Sequence, residues 1–170
     1  MTRGMGPTPT VPCRRTVLID TNVLVGRFSE DDDKHELCTE IFAMMEQQGR
    51  VFGLIFPVVV ETCGMLGRKK RQDRCLKFID WIFEVGKVSL LATDEQFARE
   101  AIEFARLESK LGIDLVDACV ASFSISRGIK RLLGSSMPIL SLDNDFYVLG
   151  ARYPLAILDP RSFELSEYSN

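Results

Sequence analysis

Thr16-Val17-Leu18-Ile19-Asp20-Thr21-Asn22-Val23-Leu24-Val25 is the stretch on which the reading of this chain turns. Thr16 to Ile19 is a short β-rich run, and the small polar side chains of Asp20, Thr21 and Asn22 suit the cap of a helix beginning near Val23. Outward from it, short β-rich runs keep alternating with longer segments of helical period, the pattern of a parallel sheet covered by helices. Residues 34–48 predict a helix, with Leu37, Cys38, Ile41, Phe42 and Met45 on one stripe ahead of Gly49. Strand is expected at 51–56, and Pro57 suits the first turn of a helix running to about Leu66. Cys75, Phe78, Ile79, Ile82 and Phe83 make a further helical stripe that takes in Trp81. Strand follows at 88–91, helix at 94–110 and 114–127, strand at 139–142, a short helix at 145–150 and a last strand at 155–158. The expectation is one α/β domain over residues 16–160 with five strands, an N-terminal tail at 1–15 read as disordered and a loose C-terminal tail at 161–170.

Composition narrows the function. The chain has 170 residues, 46% of them hydrophobic, enough for one domain with a real core. Its 21 Lys and Arg against 24 Asp and Glu leave a net charge of -3, so any nucleic-acid contact must be local rather than a global positive field. The longest near-apolar run, from Val51 to Val60, contains Pro57 and falls well short of the roughly 20 residues needed to span a bilayer. No apolar run near the start resembles a secretion signal, so a cytoplasmic protein is expected. The five cysteines form no Cys-x-x-Cys pair and His35, which opens a helix in a charged loop, is the one histidine. Reduced thiols follow, and zinc sites, Ser-His triads and Cys-His catalysis drop out unless His35 serves alone.

Carboxylates remain. Open parallel sheets bind ligands beyond the carboxyl ends of their strands, where the strand order reverses. Asp20 follows one apolar strand there and Asp143 another, with Asp145 two residues on. Glu61, after Pro57-Val58-Val59-Val60, and Asp117, within Leu115-Val116-Asp117-Ala118-Cys119, lie in apolar helix faces with no basic residue nearby in sequence. A lone buried carboxylate is costly, so a bound cation is the economical partner. Plain structural readings stand beside this one: Asp20 and Asp145 suit helix caps, and Asp114 with Asp117 suits a capping box, the preferred reading for Asp114.

The same residues resemble the PIN-domain ribonuclease family, especially its VapC-type toxins. The likeness runs from Thr16 to about Leu158 through four motifs in order: the opening strand with Asp20-Thr21-Asn22, Pro57 to Glu61, Gly112 to Ala121, and Ser141-Leu142-Asp143-Asn144-Asp145-Phe146. The resemblance implies sheet order 3-2-1-4-5 and makes Asp20, Glu61, Asp117 and Asp143 the catalytic, metal-binding acids, with Asp145 a candidate fifth. Ser141 departs from the usual Thr, Leu142 from a usual polar residue, and residues 129–137 lengthen a loop.

Four crowded carboxylates repel one another, and hard Mg2+ or Mn2+ suits such oxygen ligands. The expected reaction is hydrolysis of an RNA phosphodiester by a metal-activated water, with Asn22 and Ser141 positioning water or phosphate oxygens. Arg68, Lys69, Lys70 and Arg71, with Arg74 and Lys77, form one basic patch toward RNA, and Arg127, Lys130 and Arg131 another; either reads equally as a solvated face. An aspartyl phosphatase would need a second Asp where Asn22 stands. The open alternative is a non-catalytic PIN-like scaffold that binds RNA or protein. The likeness further implies a homodimer and, for a toxin, an antitoxin protein as partner.

Overall fold

The computed structural model describes residues 15–68, 71–84, 86–126 and 136–159. Its strands are β1 (Thr16–Ile19), β2 (Val51–Ile55), β3 (Val88–Leu91), β4 (Ile139–Leu140) and β5 (Ile157–Leu158). They form one parallel sheet in the order β3-β2-β1-β4-β5, the order the resemblance implied. β1 holds the middle and is buried along its whole length; because its side chains alternate between faces, both faces of the sheet are covered. Among the described residues seven helices do this: α1 (Thr21–Phe28), α2 (His35–Gln47), α3 (Phe56–Leu66), α4 (Gln72–Ile82), α5 (Glu95–Leu107), α6 (Leu115–Ser126) and α7 (Asn144–Gly150).

The topology places a switch point between β1 and β4. From β1 the chain moves outward to β2 and β3, then returns to the other flank of β1 with β4, where Leu18 pairs with Ile139 and Ile19 with Leu140. The order reverses between β1 and β4, and both strands end there on the same side. Asp20 follows β1 directly, and Asp143 lies three residues beyond β4.

Elements differ from expectation mainly at their ends. β2 stops at Ile55 because Phe56 already opens α3, whose first turn accepts Pro57 without losing a needed N–H. β4 stops at Leu140, and beyond Ser141 the N–H groups of Leu142 and Asp143 go to side-chain oxygens of Asn22 and Ser141 rather than to a neighbouring strand. The expected long helix 94–110 becomes α5 followed by a 3-10 turn at Ser109–Leu111, ended by Gly112 at φ 77, a left-handed conformation that favours glycine. α1 starts at Thr21, with Asp20 as its cap. The tails at 1–14 and 160–170, Lys69, Lys70, and most of the lengthened loop with Arg127, Lys130 and Arg131 lie outside the described residues.

Packing on one side centres on aromatics. Trp81 of α4 lies 5.4 Å from the Phe28 ring, 5.6 Å from Phe42 and 5.5 Å from Phe52, while Phe42 and Phe52 stack at 4.6 Å. α1 and α2 meet closely at Gly26, where an added Cβ would come within 2.7 Å of the Cys38 sulfur. His35 braces the same crossing, its Nδ1 lying 2.9 Å from the Gly26 carbonyl oxygen. At the far end of α5 the buried Glu108 accepts from the Tyr153 hydroxyl at 2.5 Å and from Arg152 at 2.7 Å, fastening the helix to the turn after α7.

Candidate functional site

Asp20 is 2% exposed, yet both carboxylate oxygens are engaged. As the N-cap of α1 it accepts from the Thr21 N–H at 2.7 Å through Oδ1, and it accepts from the Ser141 hydroxyl at 2.7 Å through Oδ2. Burial pushes its carboxyl up to about 7, against the opposing pull of those two hydrogen bonds, and the charges of Asp143 and Glu61 push it further. Asp20 therefore caps α1 and is also electrostatically coupled to Asp143 and Glu61.

Ser141 is the hub between the two strand ends. Fully buried, it donates to Asp20 and accepts from the Asp143 N–H at 2.9 Å and from the Asn22 side-chain amide at 3.4 Å. One hydroxyl donor and two lone pairs are thereby used. Asn22 completes the loop by accepting from the Leu142 N–H at 3.1 Å. In this arrangement Asn22 and Ser141 hold the carboxylates in place, and the Ser141 hydroxyl keeps no capacity for a further ligand.

Asp143 caps α7, accepting from the Asp145 N–H at 2.9 Å; the cap expected of Asp145 belongs to Asp143, and Asp145 sits in the first helical turn. Asp117 occupies the first turn of α6, and Asp114 accepts from its N–H at 2.9 Å and from that of Val116 at 2.8 Å, the capping role expected of Asp114. Burial raises the Asp117 carboxyl to about 8, with Asp20, then Asp114 and Asp143, adding repulsion. Burial and the neighbouring Asp143 and Asp114 also raise Asp145.

Among the described residues, Asp117, Asp143 and Asp145 are the acids whose ligand oxygens, one from each, lie within 4.8 Å of one another. Asp20 and Glu61 are not in that trio. Both still belong to the same electrostatic neighbourhood, because Asp20 raises Asp117 and Glu61 raises Asp20. Asp145, read from sequence as a fifth member, is thus one of the inner three. Hard oxygen donors this close suit a divalent cation such as Mg2+ or Mn2+, and a bound cation would relieve the repulsion among neighbouring carboxylates that adds to the effect of burial at Asp20 and Asp117.

Two threonines were given no site role of their own by the sequence. Among the described residues, Thr21 and Thr62 are buried with hydroxyls that have no hydrogen-bond partner, and each directly follows a candidate site acid. The repeated acid-Thr pair, Asp20-Thr21 and Glu61-Thr62, was the available signal.

The basic joint after α3 is partly committed elsewhere. Arg71 and Arg74 both pair with Asp31 in the link between α1 and α2, holding its carboxyl well below the usual carboxylate range, and Lys77 reaches Glu30 at 3.2 Å. Arg68 is exposed.

The chain matches the family model of the PIN domain over residues 17–151. No curated protein matches it. Solved structures share the fold at low identity. The toxin VapC20 of Mycobacterium tuberculosis, described as cleaving the sarcin-ricin loop, aligns with TM-score 0.65 and 16% identity over 79% of this chain and 95% of its own. VapBC-1 of nontypeable Haemophilus influenzae aligns with TM-score 0.58 and 16% identity over 86% of this chain and 98% of that one. VapBC2 of Rickettsia felis, solved with a DNA fragment from its promoter, gives TM-score 0.55 and 14% identity over 84% and 97%. With sheet order, acidic edge and family model in agreement, the chain belongs to the PIN domain family.

Proposed function

We propose that this protein is a divalent-metal-dependent endoribonuclease acting as the toxin of a toxin-antitoxin pair in the cytoplasm. The observation that carries the reading is the close carboxylate trio Asp117, Asp143 and Asp145, with Asp20 at the end of β1 electrostatically coupled to Asp117 and Asp143. Asp117, Asp143 and Asp145 would hold Mg2+ or Mn2+, with Asp20 and Glu61 completing the charge around it. When bound, such an ion supplies charge neutralisation and activation of water for attack on phosphorus. Ser141 holds Asp20 and orders the Asp143 backbone, while Asn22 fixes the loop that carries both. RNA as substrate class is supported by the stated target of VapC20, and an antitoxin partner by the paired assemblies among the structural neighbours. Among the described residues no helix is long and apolar enough to cross a membrane.

The test is cleavage of a structured RNA with Mg2+, with Mn2+ and with EDTA, beside a melting scan under the same conditions. Cleavage is expected with metal alone, and metal should raise the melting temperature by binding the folded chain. Asp143→Asn should lose both effects. RNA binding with no cleavage under any metal would replace the nuclease by an RNA-binding scaffold.

A further inference from the structure

Outside the carboxylate site, two thiols have been brought together by the fold. Cys63 lies three residues before the end of α3 and Cys75 three residues after the start of α4. Where two helices fold back about a short connection, here residues 67–71, positions equidistant from the turn come side by side. The helices pack against each other, and the two thiols face one another within hydrogen-bonding reach. Both cysteines are free and only partly buried, at the margin of the core, in contrast to the buried Cys38 and Cys119. Gly64, next to Cys63, is exposed, and apart from its chain neighbours and its own helix backbone no atom lies within 4 Å of where its Cβ would be.

We propose that Cys63 and Cys75 form a redox-responsive thiol pair that closes to a disulfide and clamps α3 to α4. The oxidant is a low-molecular-weight disulfide. One cysteine thiolate attacks it, forming a mixed disulfide and releasing one small thiol; the other thiolate then displaces the second small thiol as the Cys63–Cys75 bond forms. Two protons and two electrons leave the protein with the two released thiols. The closed loop spans about a dozen residues, enough to restrict the unfolded chain measurably. Disulfides in reducing compartments are commonly transient and regulatory, which suits a pair that is free when reduced.

The experiment treats the full chain with oxidised glutathione, blocks remaining thiols with N-ethylmaleimide, and maps tryptic peptides. Cleavage after Lys and Arg places Cys63 in the peptide 51–68 and Cys75 in the peptide 75–77. The expected product is these two peptides joined, lighter by two hydrogens than the reduced pair and separated by dithiothreitol. The oxidised chain should melt about 5 °C or more above the reduced one. Cys63→Ser and Cys75→Ser should each abolish both the joined peptide and the melting shift. Full alkylation of both cysteines after oxidation, stable glutathione adducts without closure, dominant pairing with other cysteines, or closure without a melting shift would each overturn the proposal. Because the readout is covalent state and melting, its outcome is independent of whether the protein cleaves RNA.

Discussion

Asp117 and Asp20 are the residues at which folding and the proposed chemistry oppose each other. Their carboxyls ordinarily ionise near 3.8, and the fold raises them to about 8 and about 7, burial being the first cause for both. A carboxyl raised on folding holds its proton more tightly in the folded chain than in the unfolded one. Metal-free stability should therefore be full below about pH 4 and decline as pH rises toward 8, because the folded chain must then accept buried charge. In EDTA, urea unfolding across pH 4 to 9 should show that decline. Asp117→Asn should match the parent at pH 4 and exceed it at pH 8 by on the order of 1 kcal/mol or more, while losing RNA cleavage. A parent curve that rises over this range would refute the assignment. Ser141→Ala tests the hub: it strips the buried Asp20 of a donor and leaves the partly buried Asp143 N–H without its acceptor. A loss of about 1 to 3 kcal/mol in unfolding free energy is expected, with reduced cleavage. Wild-type stability in that variant would mean that the network contributes nothing.

At the scale of elements, α4 decides how the basic joint can be used. Arg71 and Arg74 reach across to Asp31, so α4 grips the link between α1 and α2, and Trp81 seats the same helix in the aromatic core. Exposed ion pairs of this kind contribute little stability, typically below about 1 kcal/mol. Their effect is on which cations remain for RNA. Replacing Arg68, Lys69 and Lys70 with Gln should weaken RNA binding and flatten the slope of log affinity against log salt, since each lost phosphate contact removes a released counterion. Arg71→Gln, whose partner Asp31 already competes for the guanidinium, should change the slope much less. Equal slopes for the triple variant and the parent would move the RNA path to Arg127, Lys130 and Arg131.

For the whole molecule, apolar side chains remain on the outside: Phe56 and Val60 on α3, Leu76 on α4, Phe83 just beyond it, and Ile102 and Leu107 on α5. Surface of this kind is what a self-association face supplies, and we expect a homodimer; light scattering should return twice the mass of one chain, and a single-chain mass would remove that expectation. The strand-helix alternation was legible beforehand, because backbone periodicity is a local property that a linear sequence carries, whereas the sheet order came only from the resemblance to the PIN-domain family. Asp20 and Asp143 could be picked out at the ends of apolar strands, and Glu61 and Asp117 as acids set in apolar helix faces. What no local pattern contains is distance between elements far apart in the chain. Packing alone decided that Asp145 joins Asp117 and Asp143 while Asp20 stands behind them, and that one serine hydroxyl ties β1 to the loop after β4. It also turned Arg71 toward Asp31 and set Cys63 against Cys75. The sequence by itself determined which residues carry charge and at which edge of the sheet they arrive; the tertiary structure decided which of them share one site, because side-chain convergence depends on how helices cross over the sheet and not on the order of residues within any one of them.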